Sequence, residues 1–78
     1  MTIDQLKQVH QARPFRPFTI HLADGRSFLI PHNEFLSHSP VGRTLIVYGK
    51  SRDDFNILDL LLVTGLEVHE SEPEQDAA

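Results

Sequence analysis

The chain has 78 residues, no cysteine, and eleven Asp or Glu against seven Lys or Arg, for a formal net charge of -4. A chain this short buries only about 60% of the surface its unfolded form exposes, which allows one domain with a thin core that no disulfide or thiolate metal site reinforces. Its longest apolar run, residues 60–63, is far below the roughly 20 residues of a membrane span, and MTIDQLKQ carries no apolar signal region, so the chain reads as soluble and cytoplasmic.

The first element is a short amphipathic helix over residues 3–11. Ile3, Leu6 and Val9 recur at helical spacing, and Thr2 with Gln5 has the pattern of a capping box. A helix of this length is unstable alone in water, so its apolar stripe must dock on another element. Pro14 ends it. Pro14 and Pro17 then fix their own φ and push Arg13 and Arg16 toward extended conformations, a stiff lead into the first strand.

That strand, 18–23, alternates Phe18, Ile20 and Leu22 with Thr19, His21 and Ala23, and Asp24-Gly25 marks a hairpin to a second strand over 26–30. A two-residue loop pairs Ile20 with Leu29 and His21 with Phe28, leaving one face apolar and the other mixed. Phe15 and Phe18 are expected to close one end of the fold beneath the helix. Pro31 stops the second strand, and in HNEFL Asn33 is placed to cap a single helical turn that aims Phe35 and Leu36 inward. SHSP breaks that turn. A third strand over 44–48 alternates Leu45 and Val47 with Ile46 and Tyr48; GKSRDD is a solvated loop; a fourth strand covers 55–59 and a fifth 66–69. Periodicity alone leaves LLLVT open between a buried strand and a tight 3₁₀ turn, and the turn is the preferred reading.

Charge is unevenly distributed. Within residues 1–69 the seven bases are balanced by Asp4, Asp24, Glu34, Asp53, Asp54, Asp59 and Glu67, and the excess lies in Glu70, Glu72, Glu74 and Asp76 of the tail ESEPEQDAA. Residues 71–78 hold nothing large and apolar to bury, so they form a disordered acidic, solubilising tail beyond a single domain over 1–70.

A helix followed by five short strands predicts a mainly β fold, a strongly bent antiparallel sheet closing into a small barrel that protects its edges. In outline this resembles the Sm-like and Src-homology-3-like small barrels. RPFTIHLADGR, the PH-x-x-FL segment of Pro31, His32, Phe35 and Leu36, SP-x-GRT and LDLLLVT are similar to a family of short bacterial proteins, a resemblance that brings no activity with it.

Chemistry is sparse. The five histidines are His10, His21, His32, His38 and His69, and of these only His32 and His38, with Glu34 between them, approach a two-histidine, one-carboxylate set, at a spacing no common motif uses. No metal or other cofactor is expected. Ser27, Ser37, Ser39, Ser51 and Thr64 lack the partner spacing of a nucleophile, the four glycines lie in separate turns, and Asp53-Asp54 reads as a solvated pair, so the chain is not expected to be an enzyme. Arg13, Arg16, Arg26 and Arg43 are the candidates for a nucleic-acid surface, with Phe15, Phe28 or Tyr48 as stacking faces. Balanced core charge and an acidic tail argue against that use and favour local pairing of Arg16, Arg26 and Arg43 with nearby acids. What remains is a small interaction module that self-associates or takes a protein partner through a mixed face carrying His21, Phe28, Ile30 and Tyr48.

Overall fold

In the computed structural model, residues 1–40, 42–49, 51 and 53–70 are described. The acidic tail expected to be disordered lies outside them.

Helix α1 spans Ile3–His10, with Gln11 at its C-cap. Its start is set locally: the Thr2 hydroxyl accepts from the Gln5 backbone N–H at 3.2 Å, and the Gln5 side chain accepts from the Thr2 N–H at 3.1 Å. Both bonds satisfy donors that a helix start leaves without partners. Leu6 is fully buried, with Ile3 and Val9 packed beside it, so the helix docks through the expected stripe.

Six strands follow: β1 (Phe18–Leu22), β2 (Ser27–Ile30), β3 (Leu36–His38), β4 (Thr44–Tyr48), β5 (Phe55–Asp59) and β6 (Val63–Val68). They form two three-stranded antiparallel sheets, ordered β2-β1-β6 and β3-β4-β5, where one bent five-stranded sheet was expected. The added strand is β3. Its Leu36, Ser37 and His38 pair with Val47, Ile46 and Leu45 directly after a 3₁₀ turn over Asn33–Phe35. Asn33 does not cap that turn. The N-cap position is His32, no side chain caps it, and the Asn33 carbonyl instead accepts from His10 Nε2–H at 2.7 Å, tying the turn to the end of α1. The second 3₁₀ turn, Leu60–Leu62, is where LLLVT was expected to tighten. Asp59 holds it by accepting from the Leu61 N–H at 2.9 Å, and Val63 immediately begins β6, three residues before the expected start of the last strand at 66.

The first hairpin departs from expectation by one residue. Gly25 donates to the Leu22 carbonyl at 3.1 Å and Leu22 to the Arg26 carbonyl at 2.9 Å, so Ala23, Asp24 and Gly25 form a three-residue loop with Gly25 at a φ of 94°. This is a turn followed by a left-handed residue, the commonest three-residue hairpin connection, for which glycine is the natural occupant. Ile20 therefore faces Phe28 and His21 faces Ser27, not Leu29 and Phe28. A one-residue slip exchanges the two faces of a strand. Phe28 and Ile30 turn inward with Phe18, Ile20 and Leu22, and Leu29 turns outward.

The inner faces of the two sheets and α1 share one core. Phe18, Ile20, Leu22, Ile30 and Val63 come from the first sheet, Leu36, Leu45, Val47 and Leu58 from the second, Leu60 from the connection between them, and Leu6 from the helix. Each such side chain contributes about 1.5–3 kcal/mol by leaving water. The Phe15 ring lies 5.9 Å from that of Phe18, covering the core near the helix as expected.

Candidate functional site

The outward faces of the two sheets differ in chemistry. On the first sheet, His21 Nε2–H donates to Glu67 Oε1 at 3.0 Å, Thr19 and His69 share a hydrogen bond of 2.9 Å, Arg16 Nε donates to the His69 carbonyl at 3.0 Å, and Thr64 Oγ1 donates to the His21 carbonyl at 3.2 Å. The His21–Glu67 bond is a cross-strand diagonal set by the register of β1 with β6, the Thr64 bond follows from the irregularity at His21/Leu22, which leaves Thr64 without a strand partner, and the two bonds to His69 lie just beyond the end of β6. The result is a surface of polar groups already engaged with one another, with the exposed Leu29 beside Thr19.

The second sheet presents the opposite. Leu45, Val47 and Leu58 point inward, so the period of a strand sends Ile46 and Tyr48 of β4 and Phe55 and Ile57 of β5 outward. Ile46 stands directly opposite Ile57, and Tyr48 opposite Phe55. Phe55 is 53% and Ile57 65% exposed, although both are large and apolar. They also lie on an edge strand, since β5 pairs with β4 on one side only among the described residues. Soluble proteins commonly blunt such an edge with lysine, proline or a bulge, and none of these occurs in FNILD. At one end of this face Arg43 Nη2 approaches Asp59 Oδ2 at 3.9 Å. At the other, the Tyr48 and Ser37 hydroxyls lie 3.4 Å apart at the mouth of a cleft.

Of the four residues expected to share one interface, the structure brings none together as a surface. Ile30 is fully buried in the core, Phe28 packs partly against it beneath the Arg26 guanidinium, His21 belongs to the polar ladder of the first sheet, and Tyr48 alone lies on the exposed apolar face of the second. The displacement of Phe28 and Ile30 follows from the one-residue change in hairpin register. Ile46, Phe55 and Ile57 were missed as site residues, although the alternation of β4 is plain in TLIVY and Phe55-Asn56-Ile57 lies in a segment recognised as a strand.

The arginines do not converge either. Arg26 Nε donates to Asp24 at 2.9 Å on the hairpin, Arg16 is held by the His69 carbonyl, Arg43 faces Asp59 on the second sheet, and Arg13 lies beside Pro14 and Phe15 below the helix. Asp24 also accepts from the Arg26 backbone N–H at 3.0 Å; this bond, with the guanidinium beside it, holds the Asp24 carboxyl below its ordinary value. The candidate metal set is likewise divided. His38 stacks edge-on against His10 with ring centroids 5.4 Å apart and donates from Nδ1 to the Ser39 carbonyl at 3.1 Å, whereas the His32 ring sits 6.1 Å from that of Phe35. Among the described residues, no three His, Asp or Glu side chains gather as a metal site.

No helix among the described residues is long and apolar enough to cross a membrane. No family model, curated protein or solved structure matches the chain.

Proposed function

We propose that this protein is a non-enzymatic interaction module that self-associates through the outer face of the β3-β4-β5 sheet and its β5 edge, which is unpaired among the described residues. The observation carrying this reading is the coincidence of Phe55 and Ile57, both more than half exposed, with an unblunted edge strand beside Ile46 and Tyr48. Apolar surface and unsatisfied strand edge are the two features that a second chain covers together.

A second copy fits this edge by symmetry. β5 has five residues, so an antiparallel copy related by a two-fold axis at Ile57 sets Ile57 opposite Ile57 and Phe55 opposite Asp59, extending the sheet from three strands to six with the Ile57 pair at the centre of the joined face. The Sm-like or Src-homology-3-like barrel outline belongs to the same reading. Its support is the short 3₁₀ link carrying the chain from β5 to β6, with Leu60 donating to the Arg43 carbonyl at 2.6 Å and Ala23 to the Leu62 carbonyl at 2.8 Å, contacts that tie the link to both sheets. The four candidate arginines are dispersed, and Arg16, Arg26 and Arg43 are locally engaged, which gives a nucleic-acid surface no comparable support.

The test is molar mass by light scattering after size exclusion at micromolar concentrations, for the native chain and for Ile57→Glu. The native chain should be a dimer or larger. The variant should be a folded monomer, because association would strip water from the new carboxylate at the centre of the patch. The native mass should hardly change with salt. A native monomer would refute the proposal, as would an Ile57→Glu variant that assembles like the native chain.

A further inference from the structure

The Asp24-Gly25 pair at the tip of the first hairpin carries a chemistry that neither sheet uses. An aspartate followed by glycine is especially open to spontaneous backbone isomerisation, because glycine has no side chain to shield its amide nitrogen from the neighbouring carboxyl. Sterically the tip is unprotected: Asp24 and Gly25 are both exposed, and a Cβ built on Gly25 meets no heavy atom within 4 Å. Hydrogen bonds occupy both reacting groups instead. Asp24 Oδ1 accepts from the Arg26 backbone N–H at 3.0 Å, and Oδ2 accepts from Arg26 Nε at 2.9 Å. The Arg26 guanidinium is itself set over the Phe28 ring, 5.8 Å from its centroid. The Gly25 N–H donates to the Leu22 carbonyl at 3.1 Å. The Arg26 backbone N–H and guanidinium also hold the Asp24 carboxyl below its ordinary value, which keeps it ionised where a free aspartate begins to protonate.

We infer that Asp24-Gly25 is a site of backbone isomerisation and that the folded hairpin holds it in check through Arg26. In this reaction the Gly25 nitrogen attacks Asp24 Cγ. The N–Cγ bond forms, the bond from Cγ to a protonated carboxyl oxygen breaks, and that hydroxyl leaves with the amide proton as water. Water then opens the five-membered imide at either carbonyl. Opening at the Asp24 backbone carbonyl gives isoaspartate, in which the chain runs through Cβ and Cγ and the mass is unchanged. The bonds of the loop oppose the first step. The carboxyl must leave both Arg26 donors and take up a proton, and the Gly25 amide must leave the Leu22 carbonyl. The product adds one carbon to the backbone of a three-residue loop whose length sets Phe28 and Ile30 on the core side of β2. Isomerisation therefore acts at the point that fixes the hairpin register.

The experiment incubates the full native chain, Arg26→Ala and the blocked peptide LADGRS at mildly acidic pH. Isoaspartate is quantified by electron-transfer mass spectrometry, which cuts at the extra backbone carbon into diagnostic fragments. The native chain should isomerise about tenfold more slowly than the peptide, because a charge-assisted hydrogen bond must break before the carboxyl reacts. Arg26→Ala should run roughly threefold faster than the native chain, the worth of one exposed ion pair, while its backbone N–H still holds Oδ1. In urea the native chain and Arg26→Ala should form isoaspartate at one rate, since the check exists only in the folded hairpin. Arg26→Lys provides a second variant if Arg26→Ala disturbs the loop; it keeps the charge but loses the Nε–H, and it should also run faster than the native chain. Equal rates for the folded native chain and the peptide would overturn the inference. So would variants no faster than the native chain, or a difference between Arg26→Ala and the native chain that persists in urea.

Discussion

Gly25 and Gly65 offer a clean separation of backbone strain from steric crowding. A Cβ built on either meets no heavy atom within 4 Å, but Gly25 has a φ of +94° and Gly65 lies outside the left-handed region. Replacing each with alanine therefore adds the same methyl group to the same open space, with only the backbone conformation differing. At Gly65, alanine should be neutral or stabilising by up to about 1 kcal/mol, because it restricts the unfolded chain without a folded-state penalty. At Gly25, a left-handed conformation costs an ordinary residue roughly 1–2 kcal/mol, and after the same unfolded-state gain the net loss should be about 1 kcal/mol. For a domain of this size that corresponds to a fall in Tm of about 4–8 °C. Gly25→Asn should lose less, since asparagine tolerates this region. Urea and thermal unfolding of the three variants beside the native chain measure these terms. Equal stabilities for Gly25→Ala and Gly65→Ala would refute the three-residue loop with its left-handed glycine, and with it the register that sends Phe28 and Ile30 inward.

The Asp24 carboxyl has a folded pKa below its ordinary 3.8, mainly through the Arg26 backbone N–H and further through the Arg26 guanidinium. Its stabilising contribution is therefore complete above that ordinary value and is lost as pH falls through the lower folded value, so the native chain should exceed Asp24→Asn in stability at about pH 6, and in urea titrations that margin should narrow as pH falls below 3.8. Leu6→Ala removes the fully buried anchor of α1 and should cost about 2–5 kcal/mol by denaturant unfolding. Thr2→Ala breaks one half of the capping box and should cost about 0.5–2 kcal/mol, with the helical chemical shifts of the first turn weakened first.

Local signals made α1 legible. Thr2, Gln5 and the Ile3, Leu6, Val9 spacing define its start and buried face within a few residues, and the structure reproduces both. The strands at 44–48 and 55–59 were equally plain, because alternating apolar residues are bounded by loop-forming segments. Asp24-Gly25 announced the hairpin but not its loop length, since the pair suits either a two-residue loop or a three-residue loop with glycine left-handed. What decides is which side chains of β2 must reach the core, and that depends on the second sheet and helix that share the core, remote in sequence. Strand β3 was hidden for a related reason: three residues following a tight turn carry no periodicity, and their extended state is fixed by pairing with Leu45, Ile46 and Val47. The exposed face was illegible because Phe55, Ile57 and Leu58 are all apolar, and only the placement of the other sheet determines that Leu58 is covered while Phe55 and Ile57 are not.

Isotope-filtered NOE spectroscopy on an equal mixture of labelled and unlabelled chain tests the proposed interface most directly, because it reports only contacts between copies. Self-association through β5 predicts contacts from the labelled Ile57 methyls to Ile57 and Phe55 of an unlabelled copy, the former arising only near a two-fold axis at that residue. Intermolecular contacts confined to the first sheet, or none at concentrations where the chain is observed, would contradict the account.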